Sequence, residues 1–170
     1  MIRCALLVTT LLTCGFVCGQ AQVPKSSAGE YSKHFGALKE LTVAVAQAMP
    51  VEHWNFRPHP ESMSFGMLMS HIATTNYKFC AALKDSAPPQ LSSADDRNGI
   101  IKLLSDSFDY CSDVIGQLTE GQLAAIHSTP DGKLNGRETL LAMYIHVAHH
   151  RGQAEIYLRD NGIKPPGYRI

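Results

Sequence analysis

The stretch Leu140-Leu141-Ala142-Met143-Tyr144-Ile145-His146-Val147-Ala148-His149-His150-Arg151-Gly152-Gln153-Ala154 reads as a helix and carries three of the chain's eight histidines. On a helical wheel Leu140, Val147, Ala154 and Leu158 mark the centre of the apolar face. Met143, His146, His150 and Tyr157 follow along one flank. His149 falls about 60° beyond His146, towards solvent. Residues four apart on a helix point the same way, one turn apart. His146 and His150 form such a pair, so two imidazoles can reach a single metal ion. Spacing alone leaves His146 with His149 as the other possible pair.

The helix runs from about Arg137 to Asn161 and stops at Gly162, a residue suited to a left-handed cap, with Pro165-Pro166-Gly167 beyond it. Three more helices are legible to its N-terminal side. The first covers about Ala28 to Met49, with Phe35, Leu38, Leu41, Val45 and Ala48 on one face. The second starts at Ser62 or Ser64 and ends near Leu83, with Leu68, His71, Ile72, Thr75 and Phe79 recurring at helical spacing. The third follows Ser93, where Asp96 completes a loose capping box, and carries Ile101, Leu104, Phe108, Cys111, Ile115 and Leu118. Thr119 to Ala125 reads as a short extra turn, and Asp131-Gly132-Lys133 as a chain reversal. No alternating strand is evident. Four long amphipathic helices in one small domain predict an all-α four-helix bundle.

The 170 residues suffice for one domain with its own core. Lys+Arg equals Asp+Glu at 15 each, which argues against an extended nucleic-acid surface. With 45% apolar and 18% charged residues, the composition also argues against disorder. Met1-Ile2-Arg3, the apolar run from Cys4 to Val17 and the small residues of Gly19-Gln20-Ala21 read as a secretory signal cut near Ala21. The run is short for a membrane span, which needs ~20 residues; an uncleaved N-terminal anchor is the alternative. This divides the chain into a signal segment, 1–21, and a bundle domain, 22–170, expected outside the cytoplasm with no stable membrane insertion. Cys80 and Cys111 are the cysteines left after cleavage, in a compartment where disulfides persist.

Two histidines bind a metal weakly, and a stable site wants a third protein ligand with a position left open for chemistry. His71 is the leading candidate because it stands where the inner stripe of the second helix calls for an apolar residue. His53 and His59 lie among prolines in a loop, while His34 and His127 have no partner at ligand spacing. Arg151 falls close to the apolar centre of the last helix, where an unpaired guanidinium is expensive. It therefore needs a carboxylate, a carbonyl or a functional cavity.

The segment Trp54-Asn55-Phe56-Arg57-Pro58-His59-Pro60-Glu61-Ser62-Met63-Ser64 with His71-Ile72-Ala73 resembles the opening of the DinB/YfiT-like family of metalloenzymes. His146-Val147-Ala148-His149-His150-Arg151-Gly152-Gln153, Tyr157-Leu158-Arg159 and Gly162-Ile163-Lys164-Pro165-Pro166 resemble that family's closing signature. The resemblance implies an up-down-down-up bundle and one divalent metal held by His71, His146 and His150. Zn, Ni, Fe or Mn would suit imidazole ligands. With such a course the second and third helices run parallel, which brings Cys80 and Cys111 towards one end of the bundle and makes a disulfide possible. The activity implied is metal-dependent and hydrolytic, through a metal-bound water acting on a small-molecule substrate. No glutamate stands between the paired histidines to serve as base. The alternatives are a thiol-dependent transferase or isomerase on the same metal, and a non-catalytic metal-binding module. An apolar stripe left exposed on the first helix would suit a homodimer.

Overall fold

The computed structural model describes residues 27–168, so the expected signal segment and cleavage point lie outside the described residues. Four main helices are present: α1 (Ala28–Ala48), α2 (Phe65–Ala82), α3 (Arg97–Gly116) and α5 (Gly136–Asp160). A single 3₁₀ turn, Val51–His53, follows α1, and a short α4 (Glu120–Ala124) follows α3. Local chemistry sets most of the ends. Ser64 caps α2 through the Met67 amide at 3.2 Å, and Asn135 with Glu138 closes a capping box on α5. Thr119 and Gln122 form a second capping box on α4, as their spacing suggests. On α3 the cap is Asp96 itself, its carboxylate accepting from the Gly99 amide at 2.7 Å, not the expected Ser93. Gly162 takes φ +72° as the left-handed residue after α5, where Ile163 N–H reaches back to the Leu158 carbonyl at 2.9 Å.

The course of the chain follows from which helix ends meet. Arg97, opening α3, donates to the carbonyls of Gln47 and Met49 at the end of α1, at 2.8 and 3.1 Å, so α1 and α3 are antiparallel. Cys80 and Cys111, each near the C-terminal end of its helix, are joined with 5.4 Å between their Cα atoms, so α2 and α3 are parallel. The disulfide that a parallel pair permits is formed. Glu120 ties the start of α1 (Ser27 N–H, 2.7 Å) to Arg137 at the start of α5, which makes those two helices parallel. The result is the up-down-down-up bundle. Helices α3 and α5 each contact both α1 and α2, which therefore sit at opposite corners.

The core is filled by Phe35, Phe65, Phe79, Phe108, Leu68, Leu104, Ile115 and their neighbours, all fully buried. Phe35 packs between Phe108 and Tyr144, ring centroids 5.1 and 5.6 Å apart. Each such ring is worth about 1.5–3 kcal/mol on leaving water. The first helix is turned slightly from the face expected of it: Phe35, Thr42, Val45 and Ala46 are buried, while Leu38 and Leu41 stand half-exposed beside α5. Thr42 can occupy the inner position because its hydroxyl is satisfied locally, donating to the Leu38 carbonyl at 2.6 Å.

One element departs from the all-helical expectation. Ile126–Thr129 and Gly132–Asn135 pair antiparallel as a small hairpin, β1 and β2, with Thr129 opposite Gly132. The reversal near Asp131-Gly132 was legible, whereas the strands were not. They are four residues each, mostly polar, and bury a single side chain, His127, so there is no apolar alternation to read. Gly136, where the hairpin passes into α5, packs directly on α4. A Cβ there would stand 2.5 Å from the Gln122 carbonyl oxygen.

Candidate metal centre

His71 lies midway along α2, and its ring points across the bundle to α5, where His146 and His150 sit one turn apart on the facing flank. The three ring centroids are 4.9, 4.7 and 4.5 Å apart for the pairs 71–146, 71–150 and 146–150. One nitrogen from each ring lies within 4.8 Å of the other two, and all three rings are half-buried. The Nε2 atoms of His71 and His146 are 3.0 Å apart. Two Zn–N bonds of about 2.0–2.1 Å at a tetrahedral angle hold their nitrogens about 3.3 Å apart. The spacing already present is close to that, and the donor set is one that imidazole-binding transition metals accept. The residues fit a divalent ion.

Electrostatics keep the rings in the form a metal needs. Burial pushes His146 down to about 4, helped by the neighbouring His150 and His71. Burial also lowers His71, with a smaller push from Lys78. His150 is lowered by burial as well, against the opposing pull of its bond to Gln153. Neutral imidazole is the ligating species.

The surroundings hold two of the rings in place by different means. His150 Nδ1 donates to Gln153 Oε1 at 2.7 Å. That bond fixes the tautomer, leaving the Nε2 lone pair of His150 free to face the cluster. The Gln153 amide nitrogen in turn lies 3.1 Å from His149 Nε2, so the exposed His149 supports Gln153 and stays outside the trio. His146 has a buried Nδ1 with no partner among the described residues and is held by packing, Phe79 standing 6.3 Å away in an edge arrangement. Tyr157 lies three turns beyond His146 on α5. Its hydroxyl donates to the Met63 carbonyl at 3.1 Å and anchors the segment leading into α2.

Of the remaining candidates, His59 is exposed and His53 half-buried in the loop before α2, and His34 is exposed on α1. His127 is the surprise. It is 1% exposed and joins Asp85 at 3.0 Å and the Gln122 carbonyl at 2.8 Å, clipping the hairpin to the end of α2. No spacing signal betrays it, since its partners lie in other elements. Arg151 is buried and finds its carboxylate in Glu155 at 3.3 Å, one turn on. Trp54 and Tyr157 are both buried in the core. Beside His71 opens a cavity of about 660 Å³, lined by Asn55, Ser70, Thr74, Asp95 and Arg97 among others.

The sequence profile of the DinB superfamily matches residues 34–154, a span that contains all three histidines of the cluster. The chain belongs to the DinB superfamily. It is 27% identical over 134 residues to YjoA of Bacillus subtilis strain 168, covering 76% of this chain and 87% of that protein. The crystal structure of YjoA superposes with a TM-score of 0.72, covering 82% of this chain and 98% of that one. A DinB-like protein of Bacillus cereus ATCC 10987 shares the fold at 16% identity, with a TM-score of 0.71 over 83% of this chain and 97% of its own. YfiT from Bacillus subtilis does so at 16% identity and a TM-score of 0.63, covering 84% of this chain and 93% of that one. It is described as a probable metal-dependent hydrolase with an unusual four-helix bundle topology.

Proposed function

We propose that this DinB protein is a metal-dependent hydrolase whose divalent ion is held by His71, His146 and His150. The observation that carries the reading is the convergence of three imidazoles from two helices, two of their Nε2 atoms 3.0 Å apart. A divalent ion with three imidazole ligands supplies Lewis acidity and lowers the pKa of a bound water to about 7. The chain's own part is to position groups and to bind substrate. Gln153 aims His150, and Phe79 backs His146. The cavity beside His71 offers hydroxyls of Ser70 and Thr74 and the exposed carboxylate of Asp95 to a small polar substrate. The fold shared with YfiT supports the same reading.

A screen of esters and amides should reveal turnover that a chelator removes and added metal restores. His71→Ala should abolish that turnover with the fold intact by circular dichroism. Turnover that survives both chelation and His71→Ala would overturn the assignment, and consumption of a thiol with a model electrophile would replace hydrolysis by thiol transfer. We also propose that the protein works outside the cytoplasm, a reading supported by the apolar N-terminal run and by the Cys80–Cys111 disulfide, which suits an oxidising compartment. N-terminal sequencing of the secreted protein should then begin near Gln22. An intact Met1 on protein retained in the cytoplasm would refute this.

A further inference from the structure

We propose that the groove between α1 and α5 is a second binding site, on the face of α5 away from the histidine cluster, for a free medium-chain aliphatic carboxylate. The groove has a volume of about 560 Å³, within the ~300–1,000 Å³ of small-molecule sites. Its walls are apolar, built by the half-exposed Leu38 and Leu41 of α1 and by Leu141 and Ile145 of α5. Leu141 and Ile145, one turn apart, are 58% and 60% exposed, so the wall they form is open to a ligand.

The polar groups at its ends give the groove a direction. Arg151 lines it and is 9% exposed, yet its Nε–H is buried with no acceptor among the described residues. One other donor, on Nη1, reaches Glu155. Tyr168, from the segment after α5, stands over the guanidinium at 5.2 Å and is itself 64% exposed. Glu30 lines the opposite end. The helices are parallel there, and the Tyr144 hydroxyl donates to the carbonyl of Tyr31, its neighbour. Arg151 lies seven residues further along α5, about 10 Å away. A carboxylate is therefore repelled at one end and met at the other by a planar donor fork suited to it. From Leu141 to Arg151 the groove follows about 15 Å of helix, close to the extended length of decanoate. The buried guanidinium, with donors left to satisfy, favours a carboxylate head group, and the apolar walls disfavour short polar acids.

Calorimetric titration of the purified protein with decanoate and with 1-decanol tests this. The expected result is saturable one-to-one binding of decanoate, with decanol weaker by roughly tenfold or more. Arg151→Met should lower decanoate to the level of decanol. Ile145→Asp, at an exposed position that leaves the core untouched, should weaken both ligands. His71→Ala should leave decanoate binding unchanged, which separates this site from the metal centre. Equal affinity for acid and alcohol, absence of saturation, or indifference to Ile145→Asp would each overturn the proposal. So would a dimer that Ile145→Asp converts to monomer while decanoate fails to bind, since the face would then belong to a second copy of the chain.

Discussion

His127 and His146 are both withdrawn from water, yet their surroundings push their titration in opposite directions. Burial disfavours the charged ring in each case. Around His127 that loss is outweighed by the Gln122 carbonyl and the Asp85 carboxylate, and its pKa is raised. Around His146 the neighbours are other imidazoles, which add to the effect of burial and press it down to about 4. One environment favours the charged ring, which clips a hairpin; the other favours the neutral ring, whose lone pairs suit a cation. The partner, not the burial, decides whether a histidine serves as a strut or stays open to a cation.

The contrast can be broken most forcefully at the cluster. His146→Ala removes a ligand from the centre of the trio and should weaken zinc binding by more than the ~10–100-fold typical of outer-shell changes, with little loss of stability. Competition with a chromogenic chelator measures the first and thermal melting the second. A collapse of the fold with metal affinity retained would reverse the assigned roles of the two histidines.

The disulfide steadies the helix that serves both sites, since α2 carries His71 and leads five residues past Cys80 to Asp85. Its separation of 31 residues corresponds to a stabilisation of about 3–4 kcal/mol in the chain-entropy account. Replacing both Cys80 and Cys111 by Ala should cost about that much in urea unfolding. An unchanged midpoint would show that packing alone aligns α2 with α3.

His127 supplies the next effect and the pH dependence. Its folded pKa lies above the ordinary value, so its contribution is complete below about 6.5 and is lost as pH rises through the folded value. His127→Phe should cost about 1–3 kcal/mol at pH 6, and the difference from wild type should shrink at pH 8.5. A penalty that grows with pH would contradict the Asp85 pairing. The smallest change is the one that sharpens the comparison: Gln153→Ala leaves three ligands in place but frees the His150 tautomer. Metal affinity should fall ~10-fold, with the melting temperature unmoved. No change in affinity would leave the 2.7 Å bond without a function.

The two histidines also mark how far the sequence could be read. His146 announced itself because its partner, His150, is one turn away on the same helix, where periodicity is the signal. His71 followed from standing on an apolar stripe. His127 stayed hidden because Asp85 and Gln122 reach it through tertiary contacts from other elements. Its strands were invisible for a related reason, being too short and polar to show a period. Leu38 and Leu41 followed the expected helical spacing, but the helix turned so that Thr42, satisfied by its own backbone, took the inner place. Periodicity tells which residues share a face and leaves open which neighbour that face meets.

X-ray absorption spectroscopy of the zinc-loaded protein tests the central claim most directly, because it counts ligands. The account predicts a shell with three imidazoles at about 2.0–2.1 Å and no sulfur, falling to two imidazoles in His71→Ala. A shell of two imidazoles in the wild type, or one unaltered by His71→Ala, would contradict it.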